Sequence, residues 1–179
     1  MQPNHKEKEP MKEVTTTQAK HMTAPCPVAN MCTRNDEGIT NIAPISFYTF
    51  MSLKHDIICF EAGKGKYTSK LLVKTGKVAI TIPGEAIADQ TMACGKCSGR
   101  DVDKAAEYGI EMMSVEGFDV QIPVHSRVAL MCSLQDIYDI GEDCGYLFIC
   151  KIEKALVDES EKAIFDIAGN ASKLGPVQE

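Results

Sequence analysis

No run of Lys or Arg interleaved with aromatic residues occurs beyond the short N-terminus. A basic stripe of that kind is the usual footprint of nucleic-acid binding. With 19 basic against 25 acidic residues and a net charge of −6, neither nucleic acid nor an anionic membrane surface is the expected partner. No apolar stretch approaches the ~20 residues that a membrane helix needs, and the polar N-terminus lacks the apolar centre of a secretion signal. The setting these absences predict is cytoplasmic. Several chemical signatures are missing as well. Gly63-Lys-Gly-Lys66 is not a nucleotide phosphate loop, because Phe60 stands where the first Gly is required and Tyr67 where Ser or Thr must follow the Lys. Cys94-Gly-Lys-Cys97 has no second Cys-x-x-Cys and no nearby His, so no tetrahedral metal site is expected. It also follows a helical stretch instead of a strand, unlike a thioredoxin-type pair, which favours packed thiols. His5 and His21 lie near the N-terminus, His55 and His125 stand alone, and local spacing supports no Ser-His-Asp or Cys-His arrangement. There is no internal repeat or low-complexity segment.

What remains is a chain of 179 residues, enough for one domain with a substantial core. Residues 1–24, rich in charge and threonine, read as a loosely ordered arm, and residues 25–179 as a single domain. Eight cysteines, Cys26, Cys32, Cys59, Cys94, Cys97, Cys132, Cys144 and Cys150, sit mostly alone in apolar runs. That distribution suits reduced, buried thiols in an intracellular setting. Strands are expected over 28–33, 39–46, 56–62, 77–82, 121–124, 127–138 and 146–157, the first two forming a hairpin about Asn35-Asp-Glu-Gly38. Helices are expected over 68–75, 85–93 and 101–108. The class is mainly β, and long antiparallel strands of this kind commonly close into a barrel because closure removes exposed edges.

The segment Gly38 to Ser52 interleaves Asn41, Ser46, Thr49 and Ser52 with apolar residues, a lining suited to the edge of a flat heterocycle. Tyr67-Thr-Ser-Lys70 follows, two hydroxyls and an ammonium at a helix start, where free N–H groups and the positive dipole end favour phosphate. Each has a plain structural alternative, a buried strand for the first and a helix cap for the second. Together they suggest a phosphorylated, planar cofactor.

Asn41-Ile-Ala-Pro-Ile-Ser46-Phe-Tyr48 with Ser52, then Thr68-Ser-Lys70, Thr75-Gly76 leading into Val78-Ala-Ile-Thr-Ile-Pro83, and Cys94-Gly-Lys-Cys-Ser-Gly-Arg-Asp-Val-Asp-Lys104 resemble the flavin reductase-like, flavoredoxin-type family in order and spacing. The resemblance spans residues 25–157 and implies an FMN-binding split β-barrel that forms a homodimer. It implies cofactor-lining roles for Asn41, Ile42, Ala43, Ser46, Phe47, Tyr48, Thr49 and Ser52, and a phosphate grip at Thr68 and Lys70. Ser98, Gly99, Asp103 and Lys104 become a loop bordering the site. The implied activity is an FMN-dependent redox flavoprotein passing electrons or hydride, with NAD(P)H or a redox protein as donor. The alternatives are a non-enzymatic electron-transfer flavoprotein, or a barrel that binds another ligand or only a protein partner. Two departures bear on the donor. Many flavin reductases carry Gly-Asp-His before the last long strand, where this chain reads Gly141-Glu-Asp-Cys144, and the tyrosine often found before Leu174-Gly175 is absent. Both lean toward the flavoredoxin-like branch, whose members resemble electron carriers more than dedicated reductases; Cys94 and Cys97 keep a second reading as a thiol partner to a flavin.

Overall fold

The computed structural model describes residues 11–142, 144–169 and 173–176. Of the expected N-terminal arm, Thr16–His21 forms helix α1. A capping box opens it, the Thr15 hydroxyl accepting from the Gln18 N–H and the Gln18 side chain accepting from the Thr15 N–H. β1 (Cys26–Pro27) precedes the hairpin of β2 (Ala29–Arg34) and β3 (Thr40–Ile45). Its turn is fixed by Asn35, whose side-chain oxygen accepts from the N–H groups of Glu37 (3.0 Å) and Ile39 (2.9 Å). Gly38 completes it at φ +86°, a conformation that a side chain would strain. Strands β4 (Tyr48–Phe50) and β5 (Ile57–Gly63) lead into helix α2 (Tyr67–Thr75).

Then come β6 (Lys77–Pro83), a 3₁₀ turn (Glu85–Ile87), α3 (Ala88–Cys94) and α4 (Lys104–Tyr108). The chain continues through β7 (Met112–Val115), β8 (Phe118–Pro123), β9 (Ser126–Asp139) and β10 (Gly145–Val157), ending in β11 (Phe165–Asp166) and β12 (Leu174–Gly175). The short strands β1, β4, β11 and β12 stand where none was expected, and three further elements differ from expectation. The stretch 85–93 is a 3₁₀ turn followed by an α-helix. α4 starts at Lys104 and not near residue 101, because the Asp103 carboxylate accepts from the N–H groups of Ala105 and Ala106 and so fixes the first turn. A hairpin of β7 and β8 stands where only 121–124 was expected, turning at Glu116-Gly117 with Gly117 at φ +79°.

Seven strands form one antiparallel sheet in the order β3-β2-β6-β9-β10-β5-β4. Its two edge strands, β3 and β4, are consecutive in the chain and separated only by Ser46 and Phe47. The sheet therefore curls until its edges approach, and the result is a split β-barrel. Strand alternation sorts the core into two layers. Ala29, Met31, Val78, Ile80, Leu130 and Cys132 meet Phe60 and Phe148, whose rings stack at 5.4 Å. The intervening Cys32, Ala79, Ala129 and Met131 pack with Ile42, Cys94, Val115, Val120 and Ile122. Strand β2 is packed on both faces, so residues 28–33 are buried throughout, polar Asn30 and Thr33 included. A smaller sheet, β1-β11-β12, joins the N-terminal segment to the C-terminal one. Among the described residues no helix is long and apolar enough to cross a membrane.

Candidate functional site

Beside the join of β3 and β4 lies a cavity of about 910 Å³, a size suited to a cofactor. Asn41 and Ala43 through Phe47 supply one wall, Glu61 to Gly63 with Lys66 to Thr68 another, and Met92 with Cys94 to Gly99 and Lys104 a third. Met31, Val28 and Cys26 add apolar surface. The fourth side comes from both chain ends: Thr17, Lys20, His21 and Thr23 with Asp166, Gly169 and Leu174. These segments are held together by the small sheet and by close packing of Gly169 on the His21 backbone, where a side chain would collide.

The start of α2 is chemically open. Its N-cap is Lys66, which has no side-chain acceptor and makes no capping bond. Ser69 Oγ instead donates to the Gly63 carbonyl at 2.9 Å, closing the turn. Thr68 Oγ1 accepts from Asn41 Nδ2 at 2.8 Å. Neither hydroxyl caps the helix, and Lys66, Tyr67 and Thr68 at its uncapped start line the cavity, an arrangement that favours an anion. Lys20, His21, Lys66 and Lys96 line the cavity against Glu61 and Asp166, a cationic bias in a chain of net charge −6.

Asn41 is buried, and its amide also donates to Thr33 Oγ1 at 3.4 Å. Its other side packs against Gly99, where any Cβ would overlap the Asn41 side chain. Glycine at 99 thus lets the 98–99 loop close onto β3. Lys104 is buried too. Its Nζ donates to the carbonyls of Cys94 (2.7 Å) and Ile42 (2.8 Å), clamping the C-terminus of α3 to β3. Burial holds this ammonium below its usual pKa, and burial pushes the Cys94 thiol up to about 11 against the pull of Lys104.

A phosphorylated, flat-ringed ligand fits this set of donors and apolar walls: an uncapped helix end and Lys66 for the anion, and Ala43, Ile45 and Met92 with backbone edges for a ring. The flavin reductase like domain model matches residues 21–173. The chain belongs to the flavin reductase-like family. Over 86 residues it is 35% identical to the uncharacterized protein YddH of Escherichia coli K12, covering 48% of this chain and 46% of that one. It therefore spans about half the length of that relative. Among solved structures, the flavoredoxin of Desulfovibrio vulgaris (Miyazaki F) is 21% identical with a TM-score of 0.76, over 87% of this chain and 88% of that one. An FMN-binding protein from Thermus thermophilus, with bound 1-cyclohex-2-enone, is 20% identical with a TM-score of 0.75, over 99% and 98%.

Within this flavin reductase-like barrel the residues singled out by sequence separate into two groups. Asn41, Ala43, Ser46, Phe47, Thr68, Ser98, Gly99 and Lys104 line the cavity. Ile42 does not, because strand alternation turns it into the opposite core layer. Tyr48 packs beside the Phe60 layer, where burial raises its hydroxyl pKa. Thr49 is exposed and donates to the Phe50 carbonyl, and Ser52 Oγ accepts from the Lys54 N–H. Lys70 is exposed on α2 outside the cavity wall, and Asp103 caps α4. Lys66, Tyr67 and Lys96 line the wall although sequence reasoning passed over them. The signal for Lys66 was present: a helix starting one residue earlier, at Tyr67, puts it at the N-cap. Cys144 is exposed and outside the wall. The neighbouring turn is anchored by Lys64, whose Nζ pairs with Asp139 (2.6 Å) and donates to the Gly141 carbonyl (2.7 Å).

Proposed function

We propose that this protein binds FMN in the cavity and acts as an FMN-dependent oxidoreductase. The observation that carries the reading is the uncapped start of α2, with Lys66 beside it, facing the polar and apolar residues of the β3–β4 join. The phosphate sits at the helix start, drawn by free N–H groups and the Lys66 charge. Asn41, held in place by Thr68 and Gly99, presents a fixed polar edge in the same wall. Lys104 keeps the Cys94 end of α3 against β3, so this corner of the wall is held in place. Bound FMN supplies reversible uptake of a hydride or of single electrons. The chain supplies orientation, charge and exclusion of water, which agrees with the lack of a conventional acid–base constellation in its sequence.

The protein works as a homodimer with a cytoplasmic location in this reading. Phe47, Phe50, Met51 and Leu53 are exposed on and around the edge strand β4 beside the cavity, an apolar surface that a second copy would cover. A second reading, an electron carrier without its own substrate reaction, is favoured by Cys144, which stands where many flavin reductases carry His. Anaerobic titration of the flavin-loaded protein tests the choice. Rapid bleaching by NADH or NADPH supports a reductase; bleaching by a reduced redox protein alone supports a carrier.

A further inference from the structure

We propose that Cys94 and Cys97 form a reversible dithiol/disulfide couple in the cavity wall that exchanges two electrons with the flavin bound there, an inference that rests on the flavin reading. Both cysteines line the cavity and both are free thiols. Cys94 closes α3 and is fully buried, whereas Cys97 is half-exposed three residues later. The chain between them keeps a helix-like turn, with the N–H of Gly95 bonded to the Met92 carbonyl (3.2 Å) and that of Lys96 to the Ala93 carbonyl (3.0 Å). Residues three apart on such a turn have Cβ atoms about 5–6 Å apart, so a small shift of the exposed Cys97 brings the two sulfurs into bonding range.

The surroundings of the pair are built for a thiol that changes state. Tyr108 Oη donates to Cys97 Sγ at 3.2 Å, and that bond leads the causes that push the tyrosine pKa up to about 12, so the phenol remains a donor. The Lys104 ammonium acts on both sulfurs and draws Cys94 toward the thiolate, opposing its burial. Cys97 is therefore the accessible thiol, and Cys94 the protected one that completes the bridge. The step balances without a further reactant. Two S–H bonds break and one S–S bond forms, and two electrons and two protons pass to oxidised flavin, giving dihydroflavin; the reverse restores both thiols.

Trypsin makes the couple directly readable, because Lys96 lies between the two cysteines. Cleavage leaves residues 78–96 and 97–100 as separate peptides that stay joined only if the disulfide has formed. Two anaerobic mixtures are prepared, reduced protein with FMN and disulfide-form protein with dihydro-FMN, each quenched in acid with a thiol alkylator and mapped without reductant. The proposal expects one of them to shift, the linked peptide pair appearing or vanishing in step with flavin bleaching or recolouring, one pair per flavin. Cys97→Ser, compared at FMN concentrations that load each protein fully, should lose both signals. If FMN binds but neither mixture changes its linked peptide, or if Cys97→Ser changes flavin colour as the wild type does, the proposal is overturned. If no FMN binds, the flavin reading itself fails, and the two failures are told apart.

Discussion

Replacing Lys104 with Met should loosen the cavity wall by a calculable amount. The Lys104 side chain is buried and its ammonium donates to two carbonyls, that of Cys94 at 2.7 Å and that of Ile42 at 2.8 Å. The first of these belongs to the last turn of α3, where no intrahelical partner exists and a cation complements the dipole. Each hydrogen bond to a charged group contributes about 1.5–3 kcal/mol, a gross loss of about 3–6 kcal/mol. Relief of the burial cost of the ammonium returns ~1–2 kcal/mol of it. The net destabilisation is about 1–5 kcal/mol, or roughly 2–20 °C in Tm at about 2–4 °C per kcal/mol for a chain this long. Urea unfolding of wild type and Lys104→Met measures it. The pH dependence adds a signature. The folded pKa of Lys104 lies below its unfolded value, so between the two the unfolded chain holds more protons and wild-type stability rises with pH. Other groups titrate in that alkaline range, so the difference between the two proteins is the quantity to follow: the cost of the substitution should grow as pH climbs toward about 10.4. A loss under 1 kcal/mol with no such trend would refute the clamp.

Three further outcomes follow from the same geometry. Lys66→Ala should weaken FMN binding by about 1–3 kcal/mol, as for one charge-assisted contact, and Lys70→Ala by less; fluorescence titration that ranks Lys70 first would move the phosphate along the helix. Gly99→Val should push the Asn41 side chain from its place against the 98–99 loop, costing about 1–3 kcal/mol of stability and lowering FMN affinity; a variant equal to wild type in both would show that the loop closes otherwise. With its thiol at about 11, Cys94 should label with iodoacetamide far more slowly than exposed Cys144 at pH 8, its rate rising about tenfold per pH unit up to pH 10. Equal labelling of the two at pH 8, read by peptide mass, would contradict the burial of Cys94.

The features legible in the sequence were those that local rules decide. The hairpin about Asn35 to Gly38 announced itself through turn residues, and the long strands β9 and β10 through their length and apolar content. Helix α2 was visible within a residue of its true start, yet that one residue decided which lysine faces the cavity, because an N-cap is set by the whole 63–69 turn and not by Thr68 or Ser69 alone. Ile42 came with its neighbours from the family resemblance; on a strand it faces the other way. The Lys104 clamp, the Gly99 contact and the share of the cavity contributed by residues 17–23 and by Asp166, Gly169 and Leu174 depend on segments far apart in the chain. No window of sequence holds both partners of such contacts. β4 was not expected at all, and its place at the edge opposite β3 became apparent only with the order of all seven strands.

The central claim is a flavin site whose anionic end rests on the start of α2. Calorimetric titration of flavin-free protein with FMN and, separately, with riboflavin tests it most directly, since the two differ only in the phosphate. The account predicts equimolar FMN binding, riboflavin weaker by about tenfold or more, as a lost charge-assisted contact of at least ~1.4 kcal/mol requires, and a narrower gap in Lys66→Ala. Equal affinity for the two ligands, or no uptake of either, would contradict it.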